Sequence, residues 1–187
     1  MKRLLISISM LLIHYVLLAP TISFFIHLDL EDKLINNWKQ EKYNVEFNRF
    51  IDYLGYKESR NDWTAINSIN CFGEWQFSYP TLKHMGYGHI TPDKFRINPL
   101  VFPRELQLKV LKEFIKANEI ALFKYQGYFG TYINDILITK AGLLAAMHLG
   151  GLGSMHLFVT SNGIVDKQDM NGTKISDYIR EFNSYNL

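Results

Sequence analysis

The sequence predicts an all-α domain behind an N-terminal apolar segment, with a small hairpin at most near Gly73 to Phe77. Three observations carry this. No alternating apolar–polar run long enough for a strand appears anywhere in the chain. Phe47, Phe50, Ile51 and Leu54 recur at the i, i+3, i+4, i+7 spacing of one helix face. Proline, glycine, asparagine and threonine punctuate the rest at intervals that suit short helices. The chain has 187 residues, 48% of them hydrophobic, enough for one folded domain with a real core plus an extension.

The elements follow in order. Lys2 and Arg3 precede an apolar stretch from Leu4 to about Ile26, and no acidic residue occurs before Asp29. A basic start before an apolar run reads as a secretory signal over 1–27, with Ala19 to Ser23 as the candidate cleavage region. The length, near the ~20 residues of a bilayer span, fits an uncleaved anchor equally. Either way the remainder is expected to be exported. Residues 28–43 are polar and charged and read as a linker or a solvated helix. The domain is expected over 44–187, opening with a helix capped by Asn44 and running from about Val45 to Glu58.

Residues 59–80 are irregular, with Gly73 at a tight position. Pro80 opens a short helix that ends near Gly86 or Gly88, and Thr91-Pro92 opens another. Asn98-Pro99 breaks the chain, and Pro103 starts a helix to about Asn118 with Leu106, Val110, Phe114 and Ala117 on one face. Residues 119–138 are ambiguous. Thr139 caps an apolar helix, Lys140 to Leu149, that Gly150-Gly151 stops. Ser154 starts another, ended by Asn162-Gly163, and Ser176 caps a last one from Asp177 to about Phe182.

Without residues 1–27 the chain holds 18 basic and 18 acidic residues, and no basic run remains. That balance argues against a nucleic-acid partner. The lone cysteine, Cys71, forms no intrachain disulfide and reads as a small buried thiol. No two of the six histidines stand four apart with an intervening glutamate, and the stretch Asp166 to Gly172 fails the spacing of a calcium loop.

Glu58 is the residue of chemical interest. It lies four residues after Leu54, so it ends the apolar stripe of its helix. A carboxyl there is partly desolvated, as suits a general acid. The same spacing also describes an exposed glutamate paired with Lys57 or Arg60.

Three motifs in order, Glu58-Ser59, Gly73-Glu74-Trp75-Gln76-Phe77 and Ala146-Met147-His148-Leu149-Gly150, resemble the lysozyme-like lytic transglycosylases, the group that includes goose-type lysozymes. Ala65-Ile66-Asn67-Ser68 between the first two resembles the corresponding family segment, and Asp169 to Tyr178 resembles the tail of a subgroup with the His-Leu-Gly-Gly variant. The likeness spans about residues 45–185. Met147 and His148 stand where the family commonly has tyrosine and asparagine, so histidine is left to donate the hydrogen bond, and the tyrosine contact to the acid has no residue at that position.

The resemblance implies a lysozyme-like fold that cleaves peptidoglycan between N-acetylmuramic acid and N-acetylglucosamine with one glutamate as acid and then base, and with no metal or organic cofactor. Here that residue is Glu58. Ser59 and Gln76 would position the sugar or the acid, and His148, Gly150 and Gly151 would line the cleft. Tyr56, Trp75 and Tyr79 are candidate sugar platforms. Asp62 and Glu74 are the candidate second carboxylates if the enzyme is instead a hydrolase. A non-catalytic glycan-binding protein of the same fold is the remaining alternative.

Overall fold

The computed structural model describes residues 2–187, with side chains from Asp29 onward. The signal or anchor expected over residues 4–26 lies outside the residues so described. The chain divides into two units, Met1–Asn44 and Val45–Leu187. Helix α1 spans Lys2–Ser59. In the first unit its residues 29–44 are almost all exposed, with Lys33 paired to Asp29 at 2.7 Å. Asn44 does not open a new helix. It lies inside α1, where its side-chain oxygen accepts from Gln40 Nε2 at 3.0 Å, one turn earlier.

The regular elements of the second unit are helices apart from one hairpin. After α1 come α2 (Tyr79–His84), α3 (Pro92–Ile97), α4 (Arg104–Leu122), the strands β1 (Tyr132–Ile133) and β2 (Ile136–Leu137), α5 (Lys140–Thr160) and α6 (Ile175–Phe182). Ser78 caps α2 and Thr91 caps α3 through their hydroxyls, and each helix has a proline in its first turn. Asn98 caps a 3-10 turn over Pro99–Val101. Helix α4 runs past Asn118 to Leu122, since nothing in Glu119-Ile120-Ala121 stops it.

The ambiguous stretch resolves into a 3-10 segment, Phe123–Tyr128, and the antiparallel β1–β2 pair. Asn134 and Asp135, both at positive φ, form its two-residue turn, which matches the right-handed twist of the strands. The expected hairpin near Gly73 is present only as a single bridge: Phe72 and Phe77 exchange backbone hydrogen bonds at 3.1 and 2.9 Å. Ser176 is not the cap of α6. Its backbone N–H and hydroxyl both bond Asp166, at 3.1 and 2.6 Å, and the helix starts one residue earlier.

Helix α5 supplies the centre of the core. Ala141 to Met147 are all buried, and α6 and α4 pack against it. Two aromatic groups flank it. Phe50, Tyr53, Phe182 and Tyr185 join α1 to α6, with Phe50 and Phe182 edge-on at 5.3 Å. Phe72, Phe77, Phe95 and Phe102 join the loop after α1 to α3. Edge-to-face ring pairs of this kind add about 1 kcal/mol each beyond their area burial. Among the described residues α5 alone is long and apolar enough to cross a membrane, but half of it is buried within the fold and it breaks at Gly151, so it is a core helix.

Candidate active site

Glu58 is placed by the way α1 ends. Asn61 N–H bonds the Gly55 carbonyl at 3.2 Å and Arg60 N–H bonds the Tyr56 carbonyl at 2.9 Å. This paired closure terminates a helix with a left-handed residue, here Arg60 at φ 58° followed by Asn61 at φ 62°. Asp62 therefore leaves the helix axis. It is exposed and bonds Thr64 N at 2.9 Å in a local turn, so it does not stand one turn beyond Glu58. Glu58 itself is mostly buried, with 16% of its side chain exposed.

One oxygen of Glu58 is held. Tyr178 on α6 donates its hydroxyl to Glu58 Oε1 at 2.7 Å. His148 Nε2 lies 3.8 Å from the same oxygen. Among the described residues no group hydrogen-bonds Oε2. Burial and the neighbouring carboxyl push the Tyr178 phenol far above its ordinary range, so it remains a donor. Sequence reasoning missed Tyr178. Its signal is a tyrosine on the same helix face as Ile175, Ile179 and Phe182, a polar tip aimed into a core. It supplies from α6 the tyrosine contact that Met147 does not: Met147 is a buried core residue.

The loop carrying the second motif is fastened on every side. Gly73, at φ 83°, sits where an added Cβ would fall 2.5 Å from Gln107 Oε1. That same oxygen accepts from Glu74 N at 2.6 Å, and the Gln107 amide donates to Trp63 O and Phe102 O at 2.9 and 2.7 Å. Gln107 is fully buried and its amide is the hub of the loop, a role invisible in a helix-period pattern. Ser59 Oγ donates to Glu74 O at 2.8 Å, and His148 Nε2 meets Trp75 O at 2.9 Å. A carbonyl only accepts, so Nε2 carries the proton. His148 Nδ1 is enclosed without a partner among the described residues, and the ring stands edge-on to Phe77 and Phe114.

Several expected ligand contacts are thus absorbed by the scaffold. Trp75 has no exposed surface; its indole donates to Ile51 O at 2.9 Å, and it cannot offer a face to a sugar. Glu74 is also fully buried, in a two-pronged pair with Arg104 at 2.6 and 2.9 Å, so it is not a second carboxylate in the cleft. Tyr79 donates to Gly88 O at 3.2 Å and lines neither hollow described below. Ser59 works through the loop backbone and not on open space.

Two adjoining hollows remain. The first, about 110 Å³, is lined by Glu58, Gln76 and His148 from the three motifs, with Asn67, Cys71 and Asp169. The second, about 290 Å³, shares Cys71, Gln76, His148 and Leu149 and continues to Gly150 and Gly151. Gly151, at φ 73°, breaks α5, and an added Cβ there would meet open space. Gln76, at φ 46°, folds its amide back to Gly73 O at 2.8 Å. Cys71 is not a fully buried thiol: it lines both hollows, and partial burial and the Glu58 charge push its pKa up.

Asp169 was not foreseen as a cleft carboxylate. Its Oδ1 accepts from Asn171 N and Thr173 N at 2.9 and 2.8 Å, which fixes the turn and brings it to the Glu58 hollow. Among the described residues no group of three His, Cys, Asp or Glu side chains is placed to hold a metal ion. Comparison with known proteins finds no matching family model, no matching curated protein and no matching solved structure. Chemically, the arrangement offers one enclosed carboxyl with one oxygen anchored and the other available to exchange a proton with a ligand in a short groove.

Proposed function

We propose that this chain is a peptidoglycan lytic transglycosylase, with Glu58 as the sole acid and base. The observation that supports it most is the meeting of Glu58, Gln76 and His148, residues from three separated motifs, around one hollow, with one Glu58 oxygen unengaged among the described residues. In the reaction, Glu58 protonates the glycosidic oxygen as the bond to the muramic acid C1 breaks. The resulting carboxylate then takes the proton of that sugar's own 6-hydroxyl as it attacks C1, closing a 1,6-anhydro ring. No further reactant is consumed and Glu58 returns to its starting state. Tyr178 holds the carboxyl in position, and Ser59 and His148 hold the loop that carries Gln76. Under this reading the protein works outside the cytoplasm, in the periplasm or cell envelope, released from or anchored to the inner membrane by its N-terminal segment.

A second reading, hydrolysis by a lysozyme-type reaction, is favoured by one feature: Asp169 shares the hollow with Glu58 and can activate water. Digestion of purified peptidoglycan with the full-length chain separates the two. Anhydro-muropeptides from the wild type and none from Glu58→Gln are the expected result. Products with free reducing ends favour the hydrolase. No products from either protein, with glycan binding intact, defeats both and leaves a glycan-binding scaffold.

A further inference from the structure

A third hollow opens beside Glu58, about 470 Å³, lined by Tyr56, Lys57, Ser59 and Arg60 as well as Glu58 itself. Its two cations differ. Lys57 Nζ is engaged by Glu181 at 2.9 Å, which spends its charge within the fold. Among the described residues the Arg60 guanidinium bonds only the Tyr56 hydroxyl, at 3.0 Å, with its guanidinium carbon 5.5 Å from the centre of the Tyr56 ring. Among the described residues no carboxylate forms an ion pair with Arg60. Stacking on the tyrosine holds the planar group and leaves donors free, as suits a two-pronged contact to a carboxylate.

The backbone sharpens the point. Arg60 occupies the left-handed position that ends α1, where glycine fits without cost and another residue costs roughly 1 kcal/mol. Its side chain is exposed and packs nothing in the core, so the fold gains little from an arginine here. We propose that this hollow binds a carboxylate of the acidic peptide stem borne by the muramic acid, with Arg60 as the specificity-determining residue and Tyr56 as its support. The inference rests on the glycan-cleaving reading of Glu58. In a peptidoglycan strand the stem is attached to a sugar of the scissile bond, so a cation beside Glu58 lies where such a group arrives. A neutral glycan offers Arg60 hydrogen-bond acceptors but no charge to pair with.

The test is calorimetric titration of the full-length chain with three probes: a muropeptide with its stem, a neutral chito-oligosaccharide, and sodium acetate. Arg60→Ala is expected to weaken muropeptide binding on the order of tenfold, with Arg60→Lys retaining part of it and chito-oligosaccharide binding unchanged in both. Equal muropeptide affinity in wild type and Arg60→Ala overturns the proposal. So does displacement of the muropeptide by equimolar acetate, which marks a site for any small carboxylate. The peptidoglycan digest is independent: if it gives cleavage that Glu58→Gln abolishes while Arg60→Ala binds normally, the subsite fails and the catalytic reading stands. If nothing is cleaved but Arg60→Ala still loses the muropeptide, the subsite stands and the catalytic reading fails.

Discussion

On one side of Glu58, the loop over residues 63–77 spends nearly all its polar groups on the fold: Ser59 and His148 hold its carbonyls, Gln107 its N–H, and Arg104 the buried Glu74. On the other side, the turn over residues 166–174 is built from its own backbone and two aspartates, and its tip, Met170, is 79% exposed. The first wall is fixed by long-range side-chain contacts and the second by local ones. A rigid wall keeps Gln76 and His148 in register with the acid. A locally held turn can be altered without dismantling the core. Substitutions on the two sides should therefore separate into effects on stability and effects on the reaction.

The largest effect belongs to neither wall. Glu58→Gln keeps the size of the side chain, and Gln retains an oxygen for the Tyr178 hydroxyl, so the fold should survive. Cleavage of peptidoglycan should fall at least about a thousandfold, within the range for losing a general acid–base group. A thermal melt within a few degrees of wild type, together with an inactive digest, is the expected pair of results. An unfolded variant would mean that Glu58 is a structural residue.

Next is the rigid wall. Arg104→Ala leaves Glu74 buried and unpaired, a change expected to cost about 3–5 kcal/mol. Urea unfolding at neutral pH should show it as a lower midpoint with the slope retained. A loss under 1 kcal/mol would mean that water reaches Glu74 and that this wall is no stiffer than the other. The same wall shows where sequence reading stops. Gly73 and the Thr91 and Thr139 caps act through local backbone geometry, and their positions were legible, whereas Asn98 was legible as a break and not as a cap. Trp75, Glu74 and Gln107 were not, because their roles depend on which distant residue they meet. A Trp-Gln pair in a loop reads as ligand contact until Ile51 O is found waiting for the indole. The break at Gly151 was readable from two glycines, but the continuity of α1 through Asn44 was not, since one side-chain pair along the helix replaces the cap.

Tyr178 links the anchored acid to α6 and gives a third, smaller effect. Tyr178→Phe removes one hydrogen bond to a carboxyl, so kcat should fall about tenfold with KM little changed. The variant also tests the alkaline side. The Tyr178 phenol in the folded chain ionises far above its value of about 10 in the unfolded chain. The stability it contributes is present in full below pH ~10 and is lost as pH rises above that, where only the unfolded chain releases the proton. The slope is at most about 1.4 kcal/mol per pH unit from this residue. Tyr53, pushed up to about 12 chiefly by its hydrogen bond to Glu181, acts in the same direction. Denaturation at pH 9 and pH 11 should show a smaller difference for Tyr178→Phe than for wild type. Equal differences would place the phenol in water and break its link to Glu58.

The smallest effect is expected at the locally held wall, and it bears on the reaction type. Asp169→Asn keeps the side-chain oxygen that accepts Asn171 N and Thr173 N, so the turn should persist. What it removes is a carboxylate in the Glu58 hollow. If the sugar's own hydroxyl is the nucleophile, Asp169 is not needed as a base, and cleavage should change by no more than a few-fold with anhydro products retained. If water is the nucleophile and Asp169 activates it, losing that base should cost about a hundredfold or more. Product mass distinguishes the cases even when rates are close, because water adds 18 Da that an internal hydroxyl does not. Asp62 and Glu74, the second carboxylates that the sequence offered, cannot take this role: one is exposed in its own turn and the other is buried against Arg104. Asp169 is therefore the one cleft-lining carboxylate besides Glu58 among the described residues on which the hydrolytic reading can rest.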